Sequence, residues 1–252
     1  MGKNITTGYI SAKINGITVN SSIKSHFGNY FNKANREVSY IVMHYTGNDD
    51  DAAVSNAKYF NGRDVNISAH FFVDETSIYQ SVELRDTAYH CGANKYYHAN
   101  CRNTNSFGIE MTTAGNYKIS AKTIENSAYL CAYLCEMLGI KSTEVDTYVL
   151  RHYDVTHKKC PAQMVDNLNE WVAFKTKVKN ILKAKETTEF RVKVNVKSLN
   201  IRSGASTSYK IVGKITDKGT YTITKTNEKG TWGYLKSGAG WICIKPKYCT
   251  KL

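Results

Sequence analysis

No run of 18 or more apolar residues occurs in this chain, so no segment reads as a membrane-spanning helix and membrane insertion is not expected. The first residues, MGKNITTGYISAKINGITV, lack the continuous apolar stretch and the small-residue cleavage site of a secretory signal peptide, so export by the general secretory route is not expected either. The cysteines do not pair off: seven is an odd number, which argues against a complete disulfide framework and fits a reducing compartment in which one thiol binds metal. Cys91 and Cys101 are close enough in sequence to bridge if oxidised. Cys131 and Cys135, one helical turn apart in SAYLCAYLCEML, read as small core-filling residues.

Acidic residues are scarce at one end. Residues 185–252 hold 14 Lys or Arg against 4 Asp or Glu, leaving 20 against 17 for the rest of a chain of net charge +13. A basic surface favours polyanions: nucleic acid, a membrane face, or the anionic polymers and carboxylates of a bacterial wall. A nucleic-acid reader would need a patterned basic helix or a stacking platform, and the sequence offers neither, so no nucleic-acid partner is expected.

At 252 residues the chain exceeds the usual single-domain size, and two domains are expected. Residues 36–184 alternate strand-like runs (YIVMHY, AHFFVD, IYQSV, SFGIEMTT, YVLRH) with helix-like ones, among them IENSAYLCAYLCEMLG ending at Gly139 and a last helix over 163–184 with Trp171, Phe174, Val178 and Ile181 on one stripe. This pattern predicts an α/β domain, a mixed central sheet flanked by helices, over residues 1–184, with 1–35 as an irregular leader. The polar stretch 185–190 reads as a linker. Over 191–252, strand-like pieces recur every eight to twelve residues with turn signals between them, which predicts a small all-β barrel.

The chemistry concentrates in YVLRHYDVTHKKCP, residues 148–161, and in His44 at the end of YIVM. Zinc takes imidazole nitrogen and thiolate sulphur, and a catalytic site keeps three protein ligands and one open position. His44, His152 and Cys160 would supply that set, the two histidines ending two core strands that can converge. Pro161 holds Cys160 out of helical conformation. Glu110, between Ile109 and Met111, must point to the opposite face of its strand from both.

Five ordered blocks, IVMHYTG at 41–47, NISAHFFVDETSIYQSV at 66–82, AYHCG at 88–92, NTNSFGIEM at 103–111 and RHYDVTHKKCP at 151–161, resemble the zinc-dependent N-acetylmuramoyl-L-alanine amidases of the type 2 family, which includes phage endolysins and peptidoglycan recognition proteins. The resemblance covers roughly residues 36–175. It implies hydrolysis of the amide between the lactyl group of N-acetylmuramic acid and L-alanine of the stem peptide, with zinc on His44, His152 and Cys160. By the same resemblance Glu110 is the general base, Lys158 stabilises the oxyanion and His90 lines the substrate cleft. The tyrosine that precedes the histidine of the YHF-type block in the phage-lysozyme branch is here Ala69, so its role is absent or supplied elsewhere, and His70 reads as structural or site-lining. LNIRSGASTSYKIVGKI and WGYLKSGAGWICI resemble bacterial SH3-like domains that target hydrolases to peptidoglycan, with Tyr209, Trp232, Tyr234 and Trp241 as candidate wall contacts. The expected setting is an endolysin held in the host cytoplasm until holin-type membrane disruption, acting then on the cell wall. A non-catalytic peptidoglycan-binding protein is the alternative, and an intact His44, His152 and Cys160 set argues against it.

Overall fold

Seven strands build the main sheet of the N-terminal region: β1 (Lys13–Ile14), β2 (Ile17–Asn20), β3 (Tyr40–Tyr45), β4 (Phe71–Val73), β5 (Ile78–Gln80), β6 (Ser106–Met111) and β7 (Val149–Arg151). The structure is a computed structural model that describes residues 2–33, 35–186, 189–227 and 229–252. The strand order is β7-β3-β6-β4-β5-β2-β1. β7, β3, β6 and β4 run parallel, as do β5 and β2, while β4/β5 and β1/β2 are antiparallel. The sheet is therefore mixed.

The central strands are buried on both faces, which explains why they read as nearly unbroken apolar runs. Alternation divides their side chains. Ile41 and Met43 of β3 and Phe107, Ile109 and Met111 of β6 join one large core with the buried residues of two helices, α2 (Ala121–Leu138) and α5 (Leu168–Glu186). The other face carries Val42, His44, Gly108 and Glu110, and behind it lie α1 (Ala53–Gly62) and the short α3 (His152–Thr156). Ser120 caps α2 by accepting from the Thr123 N–H, and Gly139 closes it at φ 77°, a left-handed position suited to glycine.

Two expectations change. The first 35 residues are not an irregular leader: they supply β1 and β2 and a strand Lys3–Ile5 paired with Arg36–Val38, because Ile5, Ile10, Ile14 and Val19 are buried. The single helix expected over 163–184 is two, α4 (Ala162–Asp166) and α5, broken at Asn167. There the amide Oδ1 accepts from the Asn169 N–H at 3.2 Å, so a local side-chain bond competes with the helix.

By contacts the chain divides into two units, Met1–Leu182 and Lys183–Leu252. Helix α5 continues through Glu186 into the expected linker, of which residues 187 and 188 lie outside the described residues. The second unit has seven strands, β8 (Phe190–Val194), β9 (Leu199–Arg202), β10 (Ile211–Ile215), β11 (Thr220–Thr226), β12 (Trp232–Leu235), β13 (Trp241–Cys243) and β14 (Cys249–Lys251), ordered β10-β9-β13-β12-β11-β8-β14 with antiparallel pairing. Val192, Val194, Ile201, Ile223, Leu235 and Ile242 form its core. Among the described residues the edge strands β10 and β14 do not pair, so the sheet is all-β but not a closed barrel.

Asp74 fastens the N-terminal unit. Its carboxylate accepts from the Ala53 N–H at the start of α1 (2.9 Å), the Thr76 and Ser77 N–H groups (2.8 and 2.6 Å) and the Ser77 hydroxyl (2.8 Å). Burial alone would raise its pKa, but these donors outweigh burial and hold it below the ordinary value. The depressed value means that its stabilisation is complete above the unfolded carboxylate pKa and is lost as pH falls through the folded one. Asp74→Ala is expected to cost about 1–3 kcal/mol in urea unfolding at pH 7, and the gap to the parent should narrow in acid.

Candidate metal centre and cleft

Strand register brings the site together. In the parallel ladders Glu110 of β6 is level with His44 of β3, and Arg151 of β7 is level with Met43. His152, the next residue, therefore leaves β7 beside His44. The turn it starts is braced by Asp154, which accepts from the Arg151 N–H (2.8 Å) and from its guanidinium (2.6 Å), while the same guanidinium donates to the Met164 carbonyl (2.9 Å). The chain turns back at His157, φ 60°, and the Cys160 carbonyl accepts from the Tyr153 N–H at 3.0 Å. This returns the thiol to the end of the sheet.

His44 Nδ1 lies 3.1 Å from His152 Nδ1 and 3.8 Å from Cys160 Sγ, and the three donor atoms all fall within 4.8 Å of one another. All three residues are buried. Tetrahedral bonding at ordinary zinc–nitrogen and zinc–sulphur lengths would place nitrogens about 3.3 Å apart and nitrogen and sulphur about 3.6 Å apart. The two separations from His44 lie close to those values.

A proton chain prepares His44. The Ser106 hydroxyl donates to the Arg102 carbonyl (2.6 Å) and so accepts from His90 Nε2 (3.1 Å). His90 Nδ1 is then an acceptor, and it accepts from His44 Nε2 at 3.0 Å. The proton of His44 is thus on Nε2, and the Nδ1 lone pair faces His152 and Cys160. Gly108 makes room for this chain, because a Cβ there would lie 2.6 Å from His90 Cγ. His90 therefore stands behind a candidate ligand as well as in the cleft wall. A glycine inside an apolar strand signals such a close approach, and Ser106 carries no comparable signal.

Electrostatics keep the groups neutral. Burial first, then the neighbouring His152, His90 and Lys158, holds His44 well below the ordinary imidazole range, and burial first, then Lys158, holds His152 down at about 4. Burial pushes the Cys160 thiol up to about 12, with Glu110 adding to the rise. A thiolate here needs a cation at the junction of the three residues, since a coordinating thiol is deprotonated by the ion itself. Burial also pushes Glu110 up to about 8 against the pull of Lys158. Its Oε1 is 4.0 Å from His44 Nδ1, and its Oε2 is buried without a hydrogen-bond partner among the described residues. Such an orphan carboxyl oxygen beside convergent donors makes Glu110 a candidate functional residue.

Two cavities flank the junction. One, of about 550 Å³, is lined by Tyr89, His90, Asn94, Asn103, His152 and Lys158 among others. The other, of about 470 Å³, is lined by Glu110 together with Asn48, Asp51, Asn56, Tyr59 and Phe72 among others, and of these six the sequence singled out Glu110 alone. Of the adjacent lysines, Lys159 pairs with Asp166 at 2.8 Å, and Lys158 lines the cleft. His70 is not one of the convergent donors. Its Nδ1 accepts from the Gly108 N–H (3.0 Å) and its Nε2 faces Arg36 and the Asp86 carbonyl, a structural place in the sheet. Asn103 accepts from the His90 and Cys91 N–H groups with its side chain, and Asn105 accepts from that of Arg102.

The family model for N-acetylmuramoyl-L-alanine amidases, Amidase_2, matches residues 34–163, just over half of the chain. This chain belongs to that family. Among curated relatives, the N-acetylmuramoyl-L-alanine amidase CwlL of Bacillus licheniformis is 32% identical over 72% of this chain and 49% of its own length. BlyA of Bacillus subtilis (strain 168), an amidase of the same name, is 28% identical over 83% of this chain and 59% of its own. The chain thus spans about half the length of these relatives. Among solved structures, the catalytic domain of XlyA is similar with a TM-score of 0.54 at 25% identity, covering 64% of this chain and 99% of that one.

Removing the far end of the proton chain should leave the fold and weaken the hold of the three candidate ligands on a metal ion. Ser106→Ala is expected to lower zinc affinity by about 10- to 100-fold, measured by competition with a chromophoric chelator. Unchanged affinity would mean that the chain does not set the His44 tautomer.

Proposed function

We propose that this protein is a zinc-dependent peptidoglycan hydrolase that cleaves the amide between N-acetylmuramic acid and L-alanine of the stem peptide. The observation that carries this reading is the convergence of His44, His152 and Cys160 next to Glu110, whose Oε2 has no hydrogen-bond partner among the described residues, in a chain whose family and relatives bear the amidase name.

His44 and His152 through Nδ1 and Cys160 through Sγ would hold the zinc ion, which when bound supplies Lewis acidity and water of pKa near about 7. Glu110 Oε2 has no competing partner among the described residues, which suits it to take the proton of the attacking water and return it to the departing alanine nitrogen. Lys158, which lines the other cavity, would offer its ammonium to the oxygen on which negative charge develops. His90 keeps His44 oriented and borders the cavity in which the substrate lies. Residues 191–252 are read as an SH3-like wall-binding domain, and the chain as an endolysin released by holin-type membrane disruption to act on the cell wall.

The test pairs metal content with release of new L-alanine amino termini from purified peptidoglycan. The intact chain should carry about one zinc and release termini; Cys160→Ser should lose both. Glu110→Gln should keep the metal and lose about 10²–10⁴ in rate. Zinc without new termini would make the protein a recognition module, and absence of zinc would overturn the ligand assignment.

A further inference from the structure

The aromatic residues of the second unit divide by exposure. Trp232 is buried, Tyr209 is exposed, and Tyr234 and Trp241 are half-buried. Register aligns the last two with cations on either side: Lys225 of β11 opposes Tyr234 of β12, Tyr234 opposes Trp241 of β13, and Trp241 opposes Arg202 of β9. Directly opposed residues of antiparallel strands share a face. The other face carries Ile201, Ile223, Leu235 and Ile242 into the core. A row of cation, aromatic, aromatic, cation thus crosses four strands, roughly 14 Å from end to end at ordinary inter-strand spacing.

The row is preorganised. The Tyr234 and Trp241 rings meet edge to face at 5.4 Å, and Lys225 Nζ lies 4.5 and 5.8 Å from their centres. The Tyr234 hydroxyl donates to the Gly238 carbonyl (3.0 Å), and the Arg202 guanidinium donates to the Thr207 and Tyr209 carbonyls (2.9 and 2.7 Å).

We propose that this row binds a glycan strand bearing free carboxylates, the polymer left when stem peptides have been cut from muramyl residues. The identity of that polymer rests on the amidase reading above. Aromatic side chains offer apolar ring faces to the C–H faces of pyranoses while a polar edge stays wet, and the flanking cations pair with carboxylates along the strand. Charge is complementary, since residues 185–252 hold 14 basic against 4 acidic residues. Hydrolysis of the lactyl–alanine amide consumes one water and turns a neutral amide into a lactyl carboxylate on the glycan and an ammonium on the released peptide. Each cut leaves one lactyl carboxylate on the glycan itself, beside the pyranose faces, so the second unit holds the enzyme on glycan already being stripped.

The test is binding of the full chain, treated with chelator to block hydrolysis, to three polymers immobilised on beads: glycan strands freed of teichoic acid and enzymatically stripped of stem peptides, the same material unstripped, and chitin. Binding should be tightest to the stripped glycan and fall with salt. Lys225→Gln and Trp241→Ala should each weaken it roughly tenfold, with Lys225→Gln, an exposed substitution, unfolding at the parent temperature. Equal binding to chitin, tighter binding to the unstripped material, or unchanged affinity in both variants would each overturn the proposal. Because the stripped glycan is prepared separately, those outcomes leave amide cleavage untouched, and missing alanine termini would leave this binding untouched.

Discussion

The parallel register of β7, β3 and β6 is the constraint on which the site depends. It sets Glu110 level with His44 and lets His152 leave the sheet one residue beyond the Arg151–Met43 pair. A slip of one residue would turn His44 into the core and Met43 into the cleft, because strand side chains alternate. What holds the register is the buried face: Ile41, Met43, Phe107, Ile109 and Met111 are each wholly enclosed. At about 1.5–3 kcal/mol per buried side chain, these five outweigh the roughly 1–3 kcal/mol cost of leaving Glu110 Oε2 without a partner.

Burial makes the site neutral and therefore receptive. The imidazoles stay deprotonated, the thiol stays protonated, and the carboxyl of Glu110 is held up at about 8. A dication placed among these groups reverses the balance, favouring thiolate and carboxylate where desolvation disfavours them. The Ser106–His90–His44 chain settles beforehand which nitrogen of His44 is bare. The apolar face of the sheet supplies stability, and the opposite face gives up some of it to hold buried polar groups together.

Legibility followed physical range. The central strands were readable because burial on both faces leaves continuous apolar runs, and the end of α2 was readable from Gly139. The positions of His44, His152 and Cys160 stood out by residue type, and the structure brings them together. Asn167, which divides the last helix, reads from the sequence as an ordinary polar residue until its side chain is seen bonding the backbone. The strands of the first 35 residues are short and half-polar, so their period was too brief to register. Ser106 meets His90, and Asp51 and Tyr59 line the cavity of Glu110, through the folding of segments distant in sequence, and no local pattern announces them. In the second unit, turn signals and spacing marked the strands; the order of their pairing, which leaves the sheet open, is a tertiary property.

The measurement that tests the central claim most directly is the absorption spectrum of the protein loaded with cobalt(II) in place of zinc. Two imidazoles, one thiolate and one open position predict a single bound cobalt with intense visible bands of four-coordinate geometry and a near-ultraviolet sulphur-to-cobalt charge-transfer band. A weak six-coordinate spectrum without the sulphur band would contradict the account, because His44, His152 and Cys160 would then not be acting together on one ion.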